Sequence, residues 1–368
     1  MIYRFVNNFH SSACIMNMFG MTQNGIRFAN ETNATLSWTW APLVWGWREV
    51  FQLFLALAGI IGNFLVMVVL FRVRRSRCST DTLIAGLALA DFLTSVFIIP
   101  HRQVKTLPDT ASANLYCRII HSSFFMWVAI LASIFTLTTI SLERLVAVVR
   151  PFQFKRIFSP DRTLMIIAGI WLTSFLINIV IVFVVYFEDG SCEFGYPSVW
   201  FGKFNGTAVF LVEYVFPVTT MLIAHVFTVR ALRRSSHTNV SNESQDFILQ
   251  ARRKITRMLL EVIIVFIISW TPDQVLYFAI NVGLIDNSYL YSPVYRSFVV
   301  LAFVNSCVNP VIYAARNPNF RRALMDLCGS VRSLRPIFAG VETRDSQMRM
   351  LGDDTPSGPN DDMSPRNG

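Results

Sequence analysis

Apolar residues in this chain gather into seven long runs separated by short polar segments. The runs cover 50–71, 82–100, 119–146, 164–187, 207–229, 258–283 and 291–314. Each is close to the roughly 20 residues a helix needs to cross the hydrocarbon core of a bilayer. The pattern predicts an all-α membrane protein, a bundle of seven transmembrane helices. Residues 1–47 read as a polar tail ending in a Trp-rich stretch, and 48–316 as the bundle. Residues 317–328 read as a short amphipathic eighth helix. There Phe320, Leu324 and Leu327 share one face and Arg321 and Arg322 lie beside it, a pattern suited to the inner membrane surface. Residues 329–368 are rich in Ser, Pro, Gly, Asp and Asn and are expected to be disordered. The polar segment 235–250 is expected to be a mobile inner loop.

Composition agrees with a membrane protein. Only 15% of residues are charged, against about 25% in soluble domains. The net charge is +9, and its placement sets an orientation. Arg72, Arg74, Arg75 and Arg77 follow the first run. Arg150, Lys155, Arg156 and Arg162 lie between the third and fourth. Arg230, Arg233, Arg234, Arg252, Arg253 and Lys254 lie between the fifth and sixth, and Arg316, Arg321 and Arg322 follow the seventh. If the runs alternate, all four groups share one side. The positive-inside rule makes that side cytoplasmic and puts the N-terminus outside. Charges at helix ends suit lipid headgroups rather than nucleic acid.

Sequons at Asn30, Asn33 and Asn205 then fall outside, the last in a loop, and those at Asn239 and Asn242 fall inside, where they stay unused. Asn30 and Asn33 are the glycosylation candidates. Residues 1–19 lack the apolar core of a cleavable signal, so the first run serves as the targeting segment. Cys14, Cys117 and Cys192 fall outside, where disulfides persist. A bridge between Cys117 and Cys192 would tie a loop to a helix end and leave Cys14 over. Cys78 and Cys328 fall inside and are reduced. Cys328 is a candidate palmitoylation point, with an unmodified thiol as the alternative.

Several groups within the runs conflict with a hydrocarbon setting. Asp91 is a lone carboxylate that needs a cation, a proton or several donors. Asn63, Ser133, Asn305, Ser306 and Asn309 lie at comparable depth, an oxygen-rich set that suits Na⁺; a hydrogen-bonded polar core without an ion is the competing account. In Asn309-Pro310-Val311-Ile312-Tyr313 the proline frees a backbone carbonyl that must find a partner inside the protein. Pro272 loosens the sixth run beside the bulky Trp270. Glu143 and Arg144 pair with each other, with another helix or with headgroups. Glu213 and Asp273 lie in the outer halves of the fifth and sixth runs. If they share a cavity they favour a basic ligand group.

Taken in order, these residues resemble the rhodopsin-like G-protein-coupled receptors, over 48–328. The matching residues are Gly62-Asn63, Leu87-Ala88-Leu89-Ala90-Asp91, Cys117 with Cys192, Glu143-Arg144-Leu145 with Pro151 and Phe152, and Trp171. Phe216-Pro217, Phe266 with Trp270 and Pro272, Asn309-Pro310-Val311-Ile312-Tyr313 and Phe320 complete the series. The resemblance implies that an outer ligand shifts Trp270 and Phe266. Helix six then swings, Arg144 and Tyr313 rearrange, and an inner crevice accepts a heterotrimeric G protein, with Phe152 inserting into it. It implies receptor kinase and arrestin as further partners, and a Na⁺ site at Asp91, Ser133, Asn305, Ser306 and Asn309. No other cofactor is required and no enzymatic site is present.

The chain departs from the pattern in three places. His225 stands where a Tyr usually pairs with Tyr313. Arg252 stands where some members carry an acid that holds Arg144, which implies raised basal activity. The spacing from Cys117 to Arg144 is about two residues long, so either Cys117 precedes the helix or the helix bulges. Counting back from Arg144 turns Met126, Trp127 and Ile130 into the cavity, joined by Gln103, Glu213, Asp273, Gln274 and Tyr277. Residues 119–139 of the third run carry no acid for an amine, and no Lys follows Lys254 for a retinal Schiff base. A neuropeptide ligand fits best, with Glu213 or Asp273 meeting a basic side chain and Arg102 or Lys105 an acidic one. An amine or lipid ligand, and more remotely a transporter, are the competing readings.

Overall fold

The computed structural model describes residues 37–72, 78–238, 243–286, 288–289 and 292–328. Among them seven helices are long and apolar enough to cross a membrane: Trp47–Arg72, Ser79–Phe97, Ala111–Val149, Pro160–Val184, Val199–Arg234, Gln250–Val282 and Pro293–Arg316. They are called the first to seventh helices below. Their outward faces carry exposed Phe54, Ile61, Leu172, Phe183, Ile223 and Ile268, while Asn63, Asp91, Ser133 and Asn309 are buried. Such a bundle is apolar where lipid would touch it and polar along its axis.

Several boundaries differ from the sequence reading. The second helix ends at Phe97, so Pro100 follows it rather than lying within it. The fifth begins at Val199 rather than 207, which places Asn205 on a helix and not in a loop. Asn205 is partly buried, and its Nδ2 donates to the Tyr196 hydroxyl at 3.1 Å, so it is no site for a glycan. The segment 235–250 is not one loop, since helix covers Phe216–Thr238 and resumes over Glu243–Val282. It has no Gly or Pro to stop a helix, and extending an existing helix is cheap once apolar turns have nucleated it.

The third helix is jointed. An α-helical turn and a half (Ala111–Tyr116) runs into a π turn (Cys117–His121), then a break, then Phe124–Val149. Ser123 at the break has φ 56°, in the left-handed region. The extra residues thus lie in a bulge, and Cys117 is already within the helix. Cys117 is disulfide-bonded to Cys192. Cys192 sits on a hairpin in which β3 (Val185–Glu188) pairs antiparallel with β4 (Ser191–Phe194). Asp189 and Gly190 both have positive φ, as the tight turn between such strands requires.

A second strand pair joins β1 (Thr39–Trp40) to β2 (Val104–Thr106). Trp38 packs edge-on against Tyr116, centroids 5.4 Å apart. Part of the tail is therefore docked on the end of the bundle that carries the hairpin, the hairpin end. The other is the basic end.

The seventh helix is interrupted at Phe303, between Pro293–Ala302 and Val304–Arg316. A last helix, Pro318–Cys328, follows with Phe320 buried, 6.3 Å from the Tyr313 ring, and Leu324 and Leu327 against the core. Cys14, Asn30, Asn33, Asn239, Asn242 and the segment 329–368 lie outside the described residues.

Candidate functional site

Three sites lie along the bundle axis. At the hairpin end is a cavity of about 90 Å³. The sequence reading places Trp127, Glu213, Asp273, Gln274 and Tyr277 there, and all five line it. Met126 and Ile130 do not: they are packed into the apolar core. Gln103 sits beside β2, where its carbonyl accepts from the Ala41 N–H at 2.8 Å. Sequence reasoning missed Tyr196, Asn178, Asn205 and Tyr295. Asn178 left a signal, as a polar residue within a charge-free apolar run.

Two prolines aim the acids. Pro217 has no N–H for the Glu213 carbonyl, and the ladder slips into a π turn over Phe210–Val215, with the Phe216 N–H bonded to the Leu211 carbonyl. Glu213 is buried within that turn. Pro272 lies inside the continuous sixth helix one residue before Asp273, where it removes the N–H that the Ile268 carbonyl would otherwise receive. A Cβ on Gly206 would lie 2.3 Å from Asn281 Cβ, so the fifth and sixth helices approach closely just above the acids.

Below the cavity Trp270 is buried and Phe266 lies 6.4 Å from it. Deeper still is Asp91, which is fully buried. Ser133 Oγ donates to its Oδ1 at 2.7 Å, Asn309 Nδ2 to its Oδ2 at 2.8 Å, and Ser306 also hydrogen-bonds it. The structure thus brings together Asp91, Ser133, Ser306 and Asn309, and Asn305 lies one turn before Asn309. The carbonyl that Pro310 leaves without a donor belongs to Ser306, and Asn63 Nδ2 supplies one at 2.8 Å. A Cβ on Gly62 would lie 2.9 Å from Pro310 Cγ, so glycine is what lets the first and seventh helices meet here. The residues fit Na⁺: one carboxylate, hydroxyl and amide oxygens, and the buried Asn305 Oδ1 with no hydrogen-bond partner.

At the basic end Glu143 is fully buried and accepts from Ser79 at 3.1 Å, Thr80 at 2.6 Å and Arg144 Nε at 2.5 Å. Arg144 also bonds Thr80. The two charges therefore pair with each other and are stitched to the second helix. A crevice of about 50 Å³ is lined by Cys78, Arg144, Phe154, Arg252 and Thr256 among others. Burial, then the nearby Asp81 carboxylate, pushes the Cys78 thiol up to about 11. Phe152, beside the crevice, is 96% exposed. Arg316 pairs with Glu261 at 2.6 Å, a link between the sixth and seventh helices that the sequence reading did not foresee.

A family described as 7 transmembrane receptor (rhodopsin family) matches residues 62–313. The chain belongs to that family. It is a G-protein-coupled receptor of the rhodopsin family, not an enzyme, and a multi-pass protein of the plasma membrane. Among its relatives is a protein named Allatostatin-A receptor from Bombyx mori. The two are 30% identical over 292 residues, covering 74% of this receptor and 77% of the relative. The family match over residues 62–313 takes in the residues of the three sites described above.

Proposed function

We propose that this receptor answers an extracellular neuropeptide, with its N-terminus and hairpin end outside and its basic end facing a heterotrimeric G protein. One observation carries the reading. A largely apolar cavity that carries Glu213 and Asp273 is walled in part by the disulfide-held hairpin, and its Asp273 lies one helical turn from the buried Trp270. The name of the Bombyx mori relative supports a peptide ligand of the allatostatin-A kind. The basic groups at helix ends support the orientation. Ligand contact in the cavity displaces Trp270 and Phe266, the helix loosened by Pro272 pivots, and Arg144 and Tyr313 re-pair as the crevice widens. Phe152, exposed beside the crevice, docks the G protein. Receptor kinase and arrestin use the same face.

Asp91, Ser133, Asn305, Ser306 and Asn309 hold Na⁺, which supplies a positive charge to the buried carboxylate. Ion and agonist then favour different states, so each weakens the other's binding. Asn30 and Asn33 carry glycans outside, and Cys328 is the acylation point at the end of the last helix.

The test is a neuropeptide library applied to cells expressing the receptor with promiscuous G proteins. A peptide-dependent rise in nucleotide exchange is expected. Exchange driven only by amines or lipids rejects the peptide, and substrate flux in proteoliposomes without exchange rejects the receptor.

A further inference from the structure

The cavity at the hairpin end holds more acceptors than donors. Glu213 is 6% and Asp273 4% exposed, and both carboxylates line it, close enough to interact electrostatically. The nearby donors are largely committed. Asn205 donates to Tyr196, and Asn178 Nδ2 to the Ser174 carbonyl at 2.9 Å. Tyr295 hydrogen-bonds Asp273, whereas Gln274 Nε2 reaches an Asp273 oxygen only at 3.4 Å. The other side of that amide, Gln274 Oε1, has no hydrogen-bond partner, although the residue is 3% exposed and lines the cavity. Among the described residues that line it, none is Lys, Arg or His. Two buried carboxylates and an amide oxygen with no protein donor thus face one cavity, a set of acceptors that a cationic donor would satisfy.

We propose that Glu213, Asp273 and Gln274 form a subsite for a guanidinium group, the end of an arginine side chain of the ligand. This deepens the peptide-receptor reading and rests on it. The acceptors come from two helices, so the bound group must donate along more than one edge. A guanidinium carries five N–H donors in a rigid plane and pairs with carboxylates two bonds at a time. An ammonium is a compact, strongly hydrated point charge that loses more on entering such a site. Trp127, Tyr277 and Tyr295 also line the cavity, and aromatic rings can bind a planar cation. The volume also fits. At roughly 10–15 Å³ per water-sized group the cavity takes several such groups, enough for a side-chain end but not for a peptide backbone.

The experiment uses the full receptor in lipid nanodiscs and three probes: N-acetyl-arginine methylamide and its citrulline and lysine counterparts. At ten times its dissociation constant the arginine probe raises Tm by about 2–4 °C, and citrulline, the same shape without charge, does not. Glu213→Gln and Asp273→Asn each raise the arginine concentration needed at least tenfold. No shift with arginine, an equal shift with citrulline, or an equal shift with lysine overturns the assignment. The wild-type comparison of arginine with citrulline decides even if a variant fails to fold. A neuropeptide screen without an agonist rejects the peptide reading whatever the arginine probe does. A peptide agonist indifferent to arginine-to-citrulline replacement, with no probe shift, rejects only the subsite.

Discussion

Asn63 on the first helix donates to the one carbonyl, that of Ser306, which Pro310 strips of its helical partner. The proline bend in the seventh helix is thus held by a neighbour's amide at 2.8 Å rather than left open. Asn63→Leu keeps the bulk and removes the donor. It is expected to lower stability by about 1–3 kcal/mol, the cost of an unsatisfied buried acceptor. Thermal unfolding in nanodiscs measures this, and an unchanged Tm would refute it.

Cys117 and Cys192, 75 residues apart, join the hairpin to the jointed end of the third helix. Cys192→Ser is expected to cost about 2–4 kcal/mol and to release the hairpin wall of the cavity. Tm and agonist potency should fall together, whereas a loss of Tm alone would separate the wall from ligand recognition.

Phe152 is almost wholly exposed next to the crevice. Such a side chain adds nothing to the packed core, so Phe152→Ala is expected to leave the stability within about 0.5 kcal/mol of wild type. Agonist-driven nucleotide exchange is expected to fall at least fivefold. Undiminished exchange would remove Phe152 from the G-protein contact.

Arg144 and Arg252 share the walls of the crevice and carry like charge. Arg252→Glu places an acid within that space and is expected to reduce ligand-independent exchange roughly 2–5-fold, the effect of a partly exposed ion pair. A ligand-free exchange assay compares the two. Wild-type activity no higher than vector would dispose of the raised-basal reading.

Cys78 lines the same crevice with its thiol pushed up to about 11 by burial. Thiolate is the reactive form and gains population only as pH approaches that value. Alkylation by iodoacetamide is therefore expected to be negligible at pH 7.5 and to climb through pH 9–10 without a plateau. Mass spectrometry of the labelled protein reads it; labelling at pH 7.5 at the rate of a free thiol would contradict the buried placement.

Much of the molecule was legible because hydrocarbon makes unusual demands. Seven runs of spanning length, and the few polar groups inside them, sufficed to bring Asp91, Ser133, Ser306 and Asn309 together. Depth put Glu213 and Asp273 in the outer halves of their helices but left their facing open; the structure turns both into one cavity. Facing was harder. Met126, Trp127 and Ile130 were counted back from Arg144 as one face, yet only Trp127 reaches the cavity, because helix phase says nothing about where the cavity closes. The start of the fifth helix at Val199 was hidden by Gly202, Asn205 and Gly206, residues that usually mark loops but here admit Tyr196 and Asn281 closely. The pairing of Thr39–Trp40 with Val104–Thr106 left no trace, since strands of two or three residues carry no period to detect.

The joint at Ser122–Ser123 has an evolutionary consequence. The disulfide sets the azimuth of the helix above it, and the Glu143 anchor sets the azimuth below. A residue gained or lost between Cys117 and Ser123 would alter only the winding of that short segment. The roughly 100° turn that each residue otherwise imposes would not propagate to Trp127 or Arg144. Lineages of this receptor can therefore vary the length of this neck, and with it the tilt of the hairpin over the ligand, without disturbing the machinery beneath.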